Sequence, residues 1–398
     1  MNGLGVGLGL GLVRGGLGAG VGGGVGLAVG TAAPVRARAL TVSPGVSWHQ
    51  KNGTLYVYGD SLLKVEHCPK RVVDCLELLE TGTADYRELR EESDEASGRV
   101  LDLLERIGAL VPGNSGRWAG TAAERQVDYF TALGRDADAA QARLEQAHIA
   151  LLGVGGVGGA VAAHLVGAGV RRYTLIDHDE VQLSNFNRQQ LFSRADLGRP
   201  KVAATADWIR SRRPGAEIVE VEAMAEDPAE LAGHLQSADV LVLAADQPAG
   251  LIGMIAAQAC LSVGAALVMA SCGLRTASYS PVIPPEDLAD EIVSMRAASR
   301  FAPAPPAPRP MSASFGPTNT IVGAYAALEL LHYLAGAPVR SATTVLRFGA
   351  QAARQREFTA QAAQQSEISA ARSWQPECNE SAKWALQQRG ANQRGPDT

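Results

Sequence analysis

Cysteine is scarce and gives no disulfide framework. The five thiols, Cys68, Cys75, Cys260, Cys272 and Cys378, are odd in number and share no paired spacing, as suits a chain kept in a reducing cytoplasm. An excess of one charge is also lacking. Lys and Arg number 36 against 41 Asp and Glu, a formal net charge of −5, so no broad basic surface waits for nucleic acid. The glycine-rich start, residues 1–30, has 14 glycines and one charge, Arg14. It lacks both the basic flank and the strong Leu/Ile core of a signal or membrane segment, and glycine adds little to membrane transfer. Residues 1–46 are therefore expected to be a disordered extension, or to precede the true start, with no membrane partner. What remains of the 398 residues is enough for two domains and a tail.

The first domain is expected over residues 47–113. Trp48–Gln50 and Leu55–Tyr58 are strand candidates joined by Lys51-Asn52-Gly53-Thr54, a tight-turn composition. Leu62–Val65 is a third strand. A helix after Pro69 carries Val72, Val73, Leu76 and Leu79 on one face; a short one follows near Tyr86–Glu92. A third spans Gly98–Ile107, with Val100, Leu101, Leu104 and Ile107 inward, and Gly108 ends it. Strands followed by helices give a small α+β, winged-helix-like pattern. DNA binding is one reading, but Glu77, Glu80, Glu88, Glu91, Glu92, Asp94 and Glu95 would repel phosphate. A reader of extended peptides, adding a strand to a sheet edge, fits the charges better. An ordinary helical interaction domain stays open.

After a linker at 114–122, the chain is organised around His148–Lys201. An apolar run ending at Leu152 feeds Gly153, Gly155, Gly156 and Gly158 into an apolar helical pattern. Such glycines let the backbone turn tightly and let phosphate approach the N–H groups of a helix start. Asp177 ends the next strand, where a carboxylate accepts from ribose hydroxyls. A glycine turn alone points as readily to a dinucleotide. The cluster Asn185, Arg188, Gln189 and Lys201 does not, because a dehydrogenase has no use for it, whereas two cations and an amide neutralise and orient a triphosphate. Strands alternate with helices through Tyr173–Ile176, 200–213, Glu217–Val221, Ala229–Leu235 and Val240–Ala244, which implies a mostly parallel, Rossmann-like α/β sheet. Asp246 follows the last of these strands, placed to hold Mg2+ through oxygen or to cap a helix over Pro248–Leu261.

These motifs, GVGGVGG, DHDEVQLSNFNRQ, GRPK and Asp246 after ADVLVLAA, resemble those of the ThiF-type (ubiquitin-activating-like) adenylating superfamily. It includes the activators of sulfur-carrier proteins and the microcin adenylating enzyme. The resemblance covers roughly Glu124–Gly349, within an adenylating domain set at 123–350, and leaves 351–398 as a mobile tail. It implies that Mg-ATP adenylates a carboxylate at a polypeptide C-terminus, with release of pyrophosphate. The glycine turn would then hold phosphates and Asp177 the ribose, and Asp179 would support the loop or metal. Asn185, Arg188 and Lys201 would contact the triphosphate, Gln189 would order the loop, and Asp246 would hold Mg2+. Arg125 matches an arginine that family members extend into the partner's site, which implies a homodimer, although the usual aromatic before it is missing. Attack by the substrate's own carboxylate needs no protein nucleophile, so positioning and charge neutralisation carry the rate.

The departures from the family pattern are informative. The two C-x-x-C pairs of many relatives are absent: SYSPVIPPEDLADEI has no cysteine and the tail only Cys378. One thiolate cannot build a tetrahedral site, so no zinc is expected. The crossover stretch 292–314 lacks cysteine too, against a loop thioester or persulfide. The first domain resembles the leader-peptide recognition element of ribosomally made peptide (RiPP) biosynthesis, by order and size rather than by a sharp motif. Together the two resemblances imply a cytoplasmic enzyme that activates a carboxylate on a precursor peptide. The alternatives are a non-catalytic leader-binding scaffold for a YcaO-type partner enzyme, and the activator of a small sulfur-carrier protein.

Overall fold

The computed structural model describes residues 10–13, 39–301, 313–339, 342–348 and 356–358. Two short strands open the chain, β1 (Leu10–Val13) and β2 (Leu40–Val42). The hairpin of β3 (Ser47–Lys51) and β4 (Thr54–Tyr58) turns on Asn52 and Gly53, both at positive φ (52° and 74°). That is the primed two-residue turn whose twist matches the flanking strands. β5 (Leu62–Val65) completes the hairpin sheet and runs antiparallel to β4. Leu55, Val57, Leu63 and Val65 point to the buried face, against α1 (Lys70–Glu80), α2 (Tyr86–Glu91) and α3 (Glu95–Arg106). Asp85 and Asp94 accept from first-turn amides and set the starts of α2 and α3.

Three details of this region depart from expectation. The extension is structured in two places: β1 pairs antiparallel with the outer edge of β5, and β2 pairs with β6 (Leu110–Pro112), so this fold reaches upstream of residue 47. Leu40 and Val42 pack on the same core as the helices, which is the physical reason. Ile107, expected inward, is 49% exposed, because α3 ends at Arg106 and the left-handed Gly108 turns the chain away from the buried stripe. The linker at 114–122 is held down, with Ser115 and Trp118 donating to Asp138.

α4 (Glu124–Ala132) and α5 (Ala137–Gln146) then lead into β7 (His148–Leu152), α6 (Gly156–Ala168), β8 (Arg172–Ile176), α7 (Lys201–Arg212), β9 (Glu217–Val221), α8 (Pro228–His234) and β10 (Val240–Leu243). After α9 (Ile252–Val263) come β11 (Ala266–Cys272), β12 (Thr276–Tyr279), α10 (Leu288–Phe301), α11 (Gly316–Ala335), β13 (Thr343–Arg347) and β14 (Arg356–Phe358). The eight strands form one sheet in the order β14-β13-β12-β11-β10-β7-β8-β9. β11, β10, β7, β8 and β9 are mutually parallel, and β12 to β14 extend the sheet antiparallel. The expected Rossmann-like, mostly parallel sheet is therefore present. Every residue of β7 and β10 is buried, as befits central strands covered on both faces. Chain order reverses between them: β8 lies on one side of β7 and β10 on the other, and such a switch point opens a crevice at the strands' carboxyl ends.

α9 begins at Ile252 rather than Pro248. The amides of Leu251 and Ile252 both donate to Pro248, which closes a turn first. Asp246 therefore does not cap this helix, and that competing role falls away. The expected tail falls outside the described residues apart from β14, as does Cys378. No helix among the described residues is long and apolar enough to cross a membrane.

At the opposite end of β7 from the crevice, His148 is buried between Ser237 and Thr174, its ring nitrogens 2.8 and 3.0 Å from a carbonyl and a hydroxyl. Burial holds its imidazole below the ordinary value of 6.5. The unfolded chain then takes up a proton near pH 6.5 that the folded chain refuses. Stability should fall as pH drops below about 6.5, by at most ~1.4 kcal/mol per pH unit from this group. Chemical denaturation between pH 5 and 7.5 should show a shallower pH slope in His148→Gln than in the native chain; identical slopes would exclude the assignment.

Candidate active site

The glycine turn sits on the crevice between β7 and β10. Gly153 has φ +92°, donates to Ile176 across to β8, and lies against the Ala244–Ala245 peptide, 2.8 Å from where its Cβ would be. A Cβ on Gly158 would overlap the Gly153 carbonyl, and one on Gly156 would come within 2.5 Å of Asn319 Oδ1. Gly155 is different: only the Gln189 amide nitrogen, at 3.4 Å, faces its Cβ position. Its bareness keeps the approach to the first amides of α6 open, and such orphan amides suit an anion.

Asp177, 8% exposed, clamps this turn. One carboxylate oxygen accepts from Val154 N and the other from Asp179 N, both at 2.9 Å. Holding the backbone is thus its visible work, and only remaining lone pairs are open to a ribose. Asp179 in turn binds Lys201, side chain to side chain at 2.6 Å and backbone to backbone at 2.9 Å. Lys201 opens α7 and is 5% exposed. A lysine so desolvated needs a counter-ion, and Asp179 supplies it. Asp177, His178 and Asp179 can bring ligand atoms within 4.8 Å of one another, the one cluster of this kind among the described residues, and it contains no thiol. Burial raises the Cys68 thiol to about 11 and Cys260 to about 12, which disfavours either as a metal thiolate.

The loop between β8 and α7 closes on itself. Asn185 Oδ1 accepts from Gln182 N, while its carbonyl accepts from the amides of Arg188 and Gln189. The Arg188 guanidinium is held by Ser184 O at 3.0 Å and Asn187 Oδ1 at 2.9 Å. Gln189 is 4% exposed and its side-chain oxygen has no partner among the described residues, beside the Gly155 turn. An unmet buried acceptor at a helix start is a place for a ligand donor or water. Asp246 is exposed just past β10, next to the Ala245 that touches Gly153, and makes no hydrogen bond or ion pair with another described residue.

Of the residues singled out in the sequence, the structure thus brings the four glycines, Asp177, Asp179, Asn185, Arg188, Gln189, Lys201 and Asp246 to one crevice. Arg125 is not among them. It is exposed on α4, and the adjacent Gln126 donates to Ala168 O at the far end of α6. The 13 residues of α6 put about 20 Å between that end and the glycine turn.

The sequence points to no site residue on α11. Its start is a wall of the site: Asn187 donates to Ser314 O at 3.0 Å, Gly316 lies against the Asn187 carbonyl, and Asn319 abuts Gly156. The available signal was Gly316-Pro317-Thr318-Asn319, a helix start with polar residues ahead of an apolar run.

A family model described as the ThiF family matches residues 124–370. Molybdopterin-synthase adenylyltransferase of Escherichia coli (strain K12) is 37% identical over 140 residues, which are 34% of this chain and 55% of that protein. Adenylyltransferase and sulfurtransferase uba4 of Aspergillus terreus is 31% identical over 197 residues, 48% of this chain and 40% of that protein. The chain thus spans about half the length of the curated relatives it matches. Escherichia coli MccB, solved with ATP and also with MccA, superposes with a TM-score of 0.64 at 18% identity. The match covers 80% of this chain and 96% of that one, and at this identity it shows a shared fold.

Proposed function

The chain belongs to the ThiF family, and from that premise we propose that it is an ATP-dependent adenylyltransferase acting on a carboxylate of a ribosomally made precursor peptide. The observation that carries this reading is the crevice itself. Open helix-start amides, a buried lysine, a tethered arginine and a free carboxylate surround one glycine turn, and together they match a metal-bound triphosphate rather than a dinucleotide. The first domain adds the peptide. It has its own core, and its sheet takes an additional strand at the β5 edge, where β1 lies. MccB, which shares the fold, has been solved with ATP and with MccA.

In this reading the glycine-turn amides, Arg188 and Lys201 hold the triphosphate. A substrate carboxylate oxygen attacks the α-phosphorus; the new P–O bond forms as the bond to the β-phosphate oxygen breaks, and pyrophosphate leaves with the bonding pair. Lys201 moves from Asp179 towards the phosphates, exchanging one anionic partner for another at little desolvation cost. Mg2+ on Asp246 supplies charge neutralisation at the phosphate oxygens when bound. Precise placement of these charges is worth more here than any acid–base group.

A further relative, sulfur carrier protein adenylyltransferase of Thermus thermophilus, 37% identical over 83 residues, supports a second reading, activation of a small carrier protein. Calorimetry and a pyrophosphate assay separate the possibilities. ATP should bind and NAD should not; candidate precursor peptide should bind and then provoke pyrophosphate release. Removing residues 1–113 should abolish peptide binding, seen by fluorescence anisotropy, while ATP binding persists. Release with a carrier protein but with no peptide would replace the first reading by the second. Tight peptide binding without any release, even with a YcaO-type partner added, would leave a scaffold.

A further inference from the structure

Three stretches far apart in sequence meet at one side chain, Asn319. It lies in the first turn of α11 and is 5% exposed. Its amide nitrogen donates to the Phe315 carbonyl at 2.7 Å and to Ser314 Oγ at 3.1 Å. Those two acceptors set the orientation of the amide, since a flip would face its oxygen against the Phe315 carbonyl. Its oxygen is therefore turned to Gly156, 2.5 Å from that residue's Cβ position, and the Arg188 Cγ lies 3.3 Å from the same point. Ser314 is itself tied to the arginine loop, through Asn187.

We infer that Asn319 is a positioning residue for the triphosphate: a strut that sets the separation between the glycine turn and Arg188. This rests on the adenylyltransferase reading. The turn is part of α6 and rigid against the sheet. Arg188 stands on an irregular loop, and among the described residues its guanidinium is held only by two neighbours on that loop. A phosphate gripped by both needs their spacing held to within about half an ångström, and loops do not hold such spacing unaided. Asn319 has the chemistry for the task. Its two donors fasten it to the exit of the crossover segment, and its small oxygen fits against a bare Cα. A carboxylate in its place would lose both donors and set a negative charge beside the α6 amides.

The test compares ATP with adenosine, which lacks the phosphates. Calorimetry measures ATP, and competition against ATP measures adenosine, for the native chain, Asn319→Ala and Asn319→Asp. Melting curves identify any variant that fails to fold, and Asn319→Asp keeps the packing volume if the alanine variant does. Asn319→Ala should bind ATP about tenfold more weakly and Asn319→Asp about a hundredfold, with adenosine affinity changed less than about twofold in both. Raising salt should restore part of the loss in Asn319→Asp alone, because only that variant adds a screened repulsion. Equal losses for ATP and adenosine would mean a merely structural residue, and no loss for either would also overturn the inference. A native chain that binds no ATP would overturn the adenylyltransferase reading together with it, whereas native ATP binding with an unchanged ratio would overturn the strut alone.

Discussion

Asp246→Asn should lower pyrophosphate release by about a thousandfold while leaving peptide affinity within about twofold. The side chain is exposed past the end of β10 and makes no hydrogen bond or ion pair with another described residue. Exchanging its carboxylate for an amide of the same shape therefore removes nothing the fold depends on, and the melting temperature should hardly move; such surface exchanges stay within about 0.5 kcal/mol. What it does remove is an anionic oxygen one residue from Ala245, against which Gly153 turns. In the proposed reaction that oxygen would hold Mg2+, which would supply positive charge beside the phosphates. Neutral amide oxygens bind Mg2+ far more weakly than carboxylates do. In the proposed reading the peptide binds elsewhere, on a sheet with a separate core, so turnover and peptide affinity should come apart. Pyrophosphate release and fluorescence anisotropy measured on one preparation decide it. A variant that keeps more than about a tenth of native turnover would remove Asp246 from the metal site.

Arg125→Ala and Lys201→Ala should each be nearly inactive alone, yet a mixture of the two should recover about a quarter of native activity. Arg125 lies beside Gln126, which is bonded to the C-terminal end of α6, about 20 Å from the glycine turn at the other end. No arginine side chain spans that distance within its own subunit. If a two-fold dimer brings Arg125 to the partner's crevice, each mixed dimer contains one site with both residues and one with neither. Random exchange makes about half of the dimers mixed, hence about a quarter of the sites complete. Lys201→Ala also strips Asp179 of its counter-ion, but Asp179 is half exposed and water can take over. Subunit exchange must be shown independently, by tagging one variant and recovering the other with it. Proven exchange with no recovery would show that Arg125 acts within its own subunit or not at all.

The sequence by itself determined the alternation of strands and helices, and with it the parallel sheet. Apolar runs such as Val240–Leu243 are short enough to favour buried strands over helices, and the periodic stretches between them suit helices covering the faces. It also marked the glycine turn and Asp177, Arg188, Lys201 and Asp246, which the fold gathers at one crevice and to which the proposed reading gives a triphosphate. Local signals failed where a partner distant in sequence had the last word. Nothing near Ile107 announced that Gly108 would turn it outward, and nothing near Leu40 showed that residue 112 would pair with it. The sequence leaves Asp177 open to a ribose, whereas the fold sets the amides of Val154 and Asp179 on its two oxygens. In the sequence Asn319 is one of several polar residues at a helix start, and only the packing of α11 on α6 sets it against Gly156, with Arg188 on the same side. Which side chains converge on the crevice was left to tertiary structure for a physical reason: sequence periodicity reports which face of an element is buried, whereas hydrogen bonds and steric contacts between elements depend on how those faces meet.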